Sequence, residues 1–180
     1  TAPTLQALIA AGYEIKAIVA NHEQATSRNA RRLEVQMIAE ANNIPLLTPT
    51  NPIDIIEELR DMGAEIAVLA AYGRIVPQSL IDLFPRGIVN IHPSLLPIHR
   101  GSTPIESTIL NGDSTTGVSI MCLSAEMDAG PIYGQSEIKL NGNETKQELS
   151  DYLLEIGSKM VTELLPGILD GNMSVQPTIS

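Results

Sequence analysis

Two polar residues close an otherwise apolar stretch, Gly87-Ile88-Val89-Asn90-Ile91-His92, which Pro93 stops. In a strand, residues two apart point to the same face, so Asn90 and His92 would stand side by side. A carboxamide can donate to a developing oxyanion and an imidazole can handle a proton, a pair suited to acyl transfer. The third candidate is Asp128, in Glu126-Met127-Asp128-Ala129-Gly130-Pro131. A carboxylate that reached His92 would orient its ring. The trio holds no activated Ser or Cys, which predicts direct transfer to an amine without a covalent intermediate. Each residue also has a plainer role open to it. Asn-x-His suits a strand-end cap with a satisfied histidine, and Asp128 suits a turn ahead of Gly-Pro.

The segment after His92 reads Pro93-Ser94-Leu95-Leu96-Pro97-Ile98-His99-Arg100-Gly101-Ser102-Thr103-Pro104-Ile105. Its three prolines predict a stiff loop, which helps to hold a site. Gly101 permits close backbone approach. Ser94 could be a nucleophile or a loop hydrogen-bonding residue, and Arg100 could bind an anion or pair with surface acids. Other chemistries lack their motifs. No G-x-G-x-x-G follows a strand, and there is no Walker lysine and no G-x-S-x-G elbow. His22, His92 and His99 are too scattered for a zinc site, so no metal is expected.

The elements that must position these residues follow from periodicity and punctuation. Residues 3–11 read as a helix stopped at Gly12, and 13–19 as a strand. Residues 21–29 read as a loop, 31–42 as a helix and 44–47 as a short strand. Asn51 caps a helix over 52–62 with Pro52 at its first position. A buried strand over 65–71 and a short helix over 77–83 precede the strand 87–92. A helix over 104–110 ends at Asn111-Gly112. Strands over 116–123 and 132–140 then pair around a turn, and 145–169 forms a long helix with a possible kink site at Pro166-Gly167. Strand and helix alternate as far as residue 92, which predicts an α/β fold: a Rossmann-like, doubly wound, mostly parallel sheet with a mixed edge. Such a sheet takes its ligands at the carboxyl ends of its strands, where Asn90 and His92 lie. A doubly wound sheet ordinarily opens with a strand, so a first strand is expected ahead of residue 1.

The 180 residues suit one domain with a sizeable core. With one Phe, four Tyr and no Trp, that core must be aliphatic. The single cysteine, Cys122, excludes an internal disulfide and fits a reducing cytoplasm, the expected location. No apolar run reaches the length of a membrane span, and no secretory leader is read. The net charge is −10, unevenly spread. Residues 1–100 carry eight basic and ten acidic groups, and residues 101–180 carry three and eleven. That balance argues against binding nucleic acid over the whole surface. One basic cluster stands apart, Arg28, Arg31 and Arg32, which could also be a solvated helix start.

Asn90-Ile91-His92-Pro93-Ser94-Leu95-Leu96-Pro97, then Arg100-Gly101, then Asp128-Ala129-Gly130, resembles the signature of the folate-dependent formyltransferases. The resemblance covers essentially the whole chain. Arg100-Gly101-Ser102-Thr103-Pro104-Ile105 and the segment Ile109 to Met121 resemble the branch of the family that formylates charged initiator tRNA. What this resemblance implies is a formyltransferase fold with Asn90, His92 and Asp128 as the catalytic trio. It implies 10-formyltetrahydrofolate as donor, held by Ala71, Tyr72, Gly73, Ile75, Ser94, Leu95, Leu96, Pro97 and Asp128. The acceptor implied is initiator methionyl-tRNA, met by Arg28, Arg31, Arg32 and Arg100, with the chain a monomer. Alternatives within the family are transfer to an amino-sugar nucleotide or glycinamide ribonucleotide, or hydrolysis of the folate. A folate-binding module without turnover is the alternative from another class. The tRNA branch also carries a basic C-terminal barrel and a Gly- and Lys-rich loop, neither of which is read in residues 1–180. The whole chain is therefore expected to be one catalytic domain, binding tRNA weakly by itself.

Overall fold

The computed structural model describes residues 2–21 and 30–178, with only the backbone of residues 30–33. Two ladders organise the chain. Strands β1 (Ile18–Val19) and β2 (Leu46–Leu47) pair in parallel. Strands β3 (Ala67–Leu69), β4 (Ile88–His92), β5 (Thr115–Cys122) and β6 (Ile132–Lys139) form a four-stranded sheet in that order. The β3–β4 pair is parallel, and β4–β5 and β5–β6 are antiparallel. The expected α/β class with a mixed edge is observed.

Helices α1 (Ala2–Ala10), α2 (Ala30–Ala41), α3 (Ile56–Met62), α4 (Gln78–Ile81), α5 (Pro104–Asn111) and α6 (Lys146–Asp170) cover the strands. Gly12 follows α1 at φ +83°, where a residue without Cβ is at ease. The predicted helix over 52–62 begins as a 3₁₀ turn, Pro52–Ile55, capped by the Asn51 side chain, and becomes α3 only at Ile56. The predicted strand over 13–19 shrinks to Ile18–Val19. Its start serves other contacts: the Tyr13 N–H donates to Leu8 O, and its hydroxyl donates to Thr162 O at 3.1 Å. Most of the loop predicted over 21–29 lies outside the described residues.

Two apolar clusters sandwich β4. Val89 and Ile91 pack with Val118, Ile120, Leu153 and Val161 on the α6 side. Ile88 packs with Ile55, Leu59 and Phe84 on the other. Alternation therefore puts Asn90 and His92 on the Ile88 face. Helix α6 opens with a capping box, in which Thr145 N–H donates to Glu148 and Glu148 N–H donates to Thr145 Oγ1. It runs unbroken through Pro166. Gly157 lets α6 approach β4, because a Cβ there would meet Ile91 Cγ2, with Val118 Cγ1 3.1 Å away. A buried hydroxyl pair, Thr4 Oγ1 to Ser158 Oγ at 2.8 Å, ties α1 to the same helix.

Candidate active site

All five residues of β4 are buried, which is unusual surroundings for an amide and an imidazole. Leu69, the last residue of β3, pairs with Asn90, so the loop after β3 leaves the sheet beside the end of β4. Asn90 and His92 are 9% and 4% exposed. No side-chain hydrogen bond to a described residue ties up the Asn90 carboxamide. The His92 ring is held from both sides. Its Nε2 lies 3.0 Å from His99 O. A carbonyl only accepts, so this contact holds a proton on Nε2. Its Nδ1 faces Asp128 Oδ2 at 3.7 Å, closer than any sequence spacing could promise but longer than a hydrogen bond.

Asp128 is buried and sits at φ +50°, in the left-handed region. Such a conformation persists in a non-glycine residue only where the surroundings fix it. Here the Gly101 N–H donates to Asp128 Oδ2 at 2.8 Å. Two residues on, a Cβ at Gly130 would collide with Cys122 O, so the turn needs its glycine. Thr178 Oγ1 donates to Gly130 O and straps the same turn from the C-terminal side. The structure thus brings His92 and Asp128 together and places Asn90 on the same strand face.

The loop after β4 holds four of the residues expected to touch the donor, Ser94, Leu95, Leu96 and Pro97. Ser94 and Leu96, expected to touch a ligand, are 0% and 4% exposed. Ser94 Oγ donates to Ile98 O, Ser94 N–H donates to His92 O, and Ser94 O accepts from Ser119 Oγ. Leu96 N–H donates to Ser119 Oγ, and Leu96 O accepts from Gln135 Nε2. The backbone groups of both residues and the Ser94 hydroxyl are hydrogen-bonded within the protein, and these bonds hold the loop in place. Ser119 and Gln135 were missed from sequence because their partners lie 16 to 39 residues away. Leu95 and the exposed Pro97 flank these positions, and Leu95 lines a cavity of about 180 Å³ with His99 and Asp113.

In the loop after β3, Ala71 at φ +52° and Gly73 at φ +74° are exposed, and Ile75 is 83% exposed. The Tyr72 hydroxyl is buried with no hydrogen-bond partner among the described residues. Burial pushes its pKa up, with the Arg74 charge pulling the other way. An orphaned hydroxyl and, three residues on, an exposed aliphatic side chain suit a flat ligand with polar edges. Arg100 reaches Thr178 O at 3.5 Å, and its buried Nε has no hydrogen-bond partner among the described residues. Of the basic cluster, Arg28 lies outside the described residues. Arg31 and Arg32 fall in the first turn of α2. Among the described residues no group of His, Cys, Asp and Glu could hold a metal, and no helix is long and apolar enough to cross a membrane.

Comparison with known proteins bears on these residues. A family model described as formyl transferase matches residues 3–165. Methionyl-tRNA formyltransferase of Chloroflexus aurantiacus is 38% identical over 177 residues, covering 96% of this chain and 57% of the relative. The chain thus spans about half the length of the curated relatives it matches. Among solved structures, glycinamide ribonucleotide transformylase 1 from Symbiobacterium toebii matches with a TM-score of 0.80 at 23% identity, over 98% of this chain and 87% of that one. A sugar 3N-formyl transferase solved in the presence of dTDP and 5-N-formyl-THF matches with a TM-score of 0.75 at 19% identity, over 99% and 62%. The likeness to these two structures speaks to the fold alone, and their acceptors differ.

Proposed function

Because this chain belongs to the formyl transferase family, we propose that it moves the formyl group of 10-formyltetrahydrofolate to the amine of methionyl initiator tRNA. The observation that carries the reading is the buried His92–Asp128 contact, with Asn90 on the same strand face. The 38% identity to a relative named for that reaction supports the acceptor.

The loop after β3 fits the donor: Ala71, Gly73 and Ile75 would offer it a wall, and the orphaned Tyr72 hydroxyl a polar contact. The donor supplies an activated formyl carbonyl. Asn90 donates its amide to the oxygen as it gains charge. His92, oriented between His99 O and Asp128, shares that task and carries the amine's proton towards the folate nitrogen that leaves. The methionine amine adds to the formyl carbon to give a tetrahedral intermediate, which collapses as the carbon–nitrogen bond to the folate breaks. Asp128 stabilises the positive charge that develops on His92. Burial of the trio keeps water from competing as the acceptor.

Arg28, Arg31 and Arg32 are proposed to meet tRNA phosphates, with Arg100 at the edge of the site. A net charge of −10 works against tight binding by these residues alone. The test is transfer of labelled formyl to methionyl initiator tRNA by the wild-type chain and by His92→Ala. Transfer that His92→Ala abolishes supports the reading. Transfer that survives in a folded His92→Ala refutes it.

A further inference from the structure

Resting on the reading of His92 above, we infer that His99 and Asp113 form a positioning pair: they clamp the far end of the loop and so hold the His99 carbonyl on the His92 ring. That carbonyl, 3.0 Å from Nε2, is the hydrogen-bond partner of the ring, since Asp128 stands at 3.7 Å. Its direction depends on residue 99 keeping φ at +54°, in the left-handed region that few residues with a Cβ occupy.

The His99 side chain does the holding. Its Nε2 lies 2.5 Å from Asp113 Oδ2, and the two side chains are 13% and 31% exposed. Asp113 is itself fixed to a rigid element. It follows Gly112, the left-handed cap of α5, and its N–H donates to Thr108 O at 3.1 Å. A continuous path therefore runs from the end of α5 through Asp113 and the His99 imidazole to the His99 carbonyl and the His92 ring. Neighbouring ties restrain the loop on each side: Ser94 Oγ to Ile98 O, and Gly101 N–H to Asp128. Among the described residues, the His99 tie is the one of these three that leads away from the β4–β5 region to a helix terminus. The pair is polar, partly screened from water and 14 residues apart, features that loop packing alone does not demand.

The direct readout is ¹⁵N NMR of the imidazoles in the full 180-residue chain, with His92 assigned by its absence in His92→Ala. Wild type is expected to show His92 as a single tautomer with a slowly exchanging Nε2 proton. His99→Gly tolerates the same φ and removes the clamp. It is expected to speed exchange of that proton, and lower kcat for formyl transfer, each on the order of tenfold, with KM for the donor unchanged. Asp113→Asn keeps an acceptor for His99 and is expected to retain most of both properties, whereas Asp113→Ala should behave as His99→Gly. Should His99→Gly fail to fold, Asp113→Ala carries the same test. Unchanged His92 proton exchange in a folded clampless variant overturns the inference. Absence of transfer by wild type overturns the functional reading instead, and the NMR result still decides whether the pair positions the ring.

Discussion

Replacing Asp128 with Asn removes one charge from the site and little else. The amide oxygen can still accept from Gly101 N–H, a contact of 2.8 Å, and Asn tolerates the φ of +50°. The lost quantity is the attraction between the carboxylate and the charge that develops on His92. At 3.7 Å, with both side chains at most 10% exposed, that attraction is worth about 4.5 kcal/mol at an effective dielectric of about 20. The amide dipole returns part of it, and a net loss of about 2.7 kcal/mol corresponds to roughly a hundredfold in rate. We therefore predict that Asp128→Asn folds normally by circular dichroism and loses at least about a hundredfold in kcat/KM for formyl transfer. Turnover within a few-fold of wild type in the folded variant would show that His92 works without this carboxylate.

Gly157→Ala should destabilise the chain by about 1–3 kcal/mol in urea unfolding, because its Cβ would meet Ile91 at the α6–β4 contact; an unchanged midpoint would mean that the helix shifts freely. Arg31→Ala with Arg32→Ala should raise KM for charged tRNA and flatten its salt dependence, and identical values across several salt concentrations would return the pair to an ordinary helix start. Tyr133 adds a pH effect: burial, then the neighbouring Cys122, pushes its hydroxyl up to about 12. The folded chain holds that proton more tightly than the unfolded chain does, so stability should fall as pH rises from about 10 to about 12. Tyr133→Phe should flatten that fall in alkaline denaturation, and a profile that matches wild type would contradict the assignment.

The parts of the fold with local causes were legible in the sequence. Gly12 and Gly112 stop their helices in left-handed conformations, as their positions suggested. The two-residue spacing of Asn90 and His92 placed both on one face of β4, and the neighbours of Ile88 identify that face. Strand ends were less legible. Residues 13–17 alternate as a strand would, but Tyr13 is drawn to α1 and α6. The 3₁₀ start at Pro52–Ile55 depends on a turn geometry that helical spacing does not encode. The hydrogen bonds that fix Ser94 and Leu96 were not legible, because the hydroxyl of Ser119 and the amide of Gln135, which make them, arrive from distant strands. The role of His99 was hidden for the same reason: its chemistry depends on Asp113 and on a backbone angle, not on spacing from His92.

The most direct test of the account is an acceptor competition. The chain receives labelled 10-formyltetrahydrofolate with equimolar methionyl initiator tRNA, glycinamide ribonucleotide and an amino-sugar nucleotide, and the label is followed into each product and into free formate. The account predicts that label appears in formyl-methionine after deacylation of the tRNA and that His92→Ala abolishes it. Label found in formate or in another acceptor, with none on methionine, would contradict it.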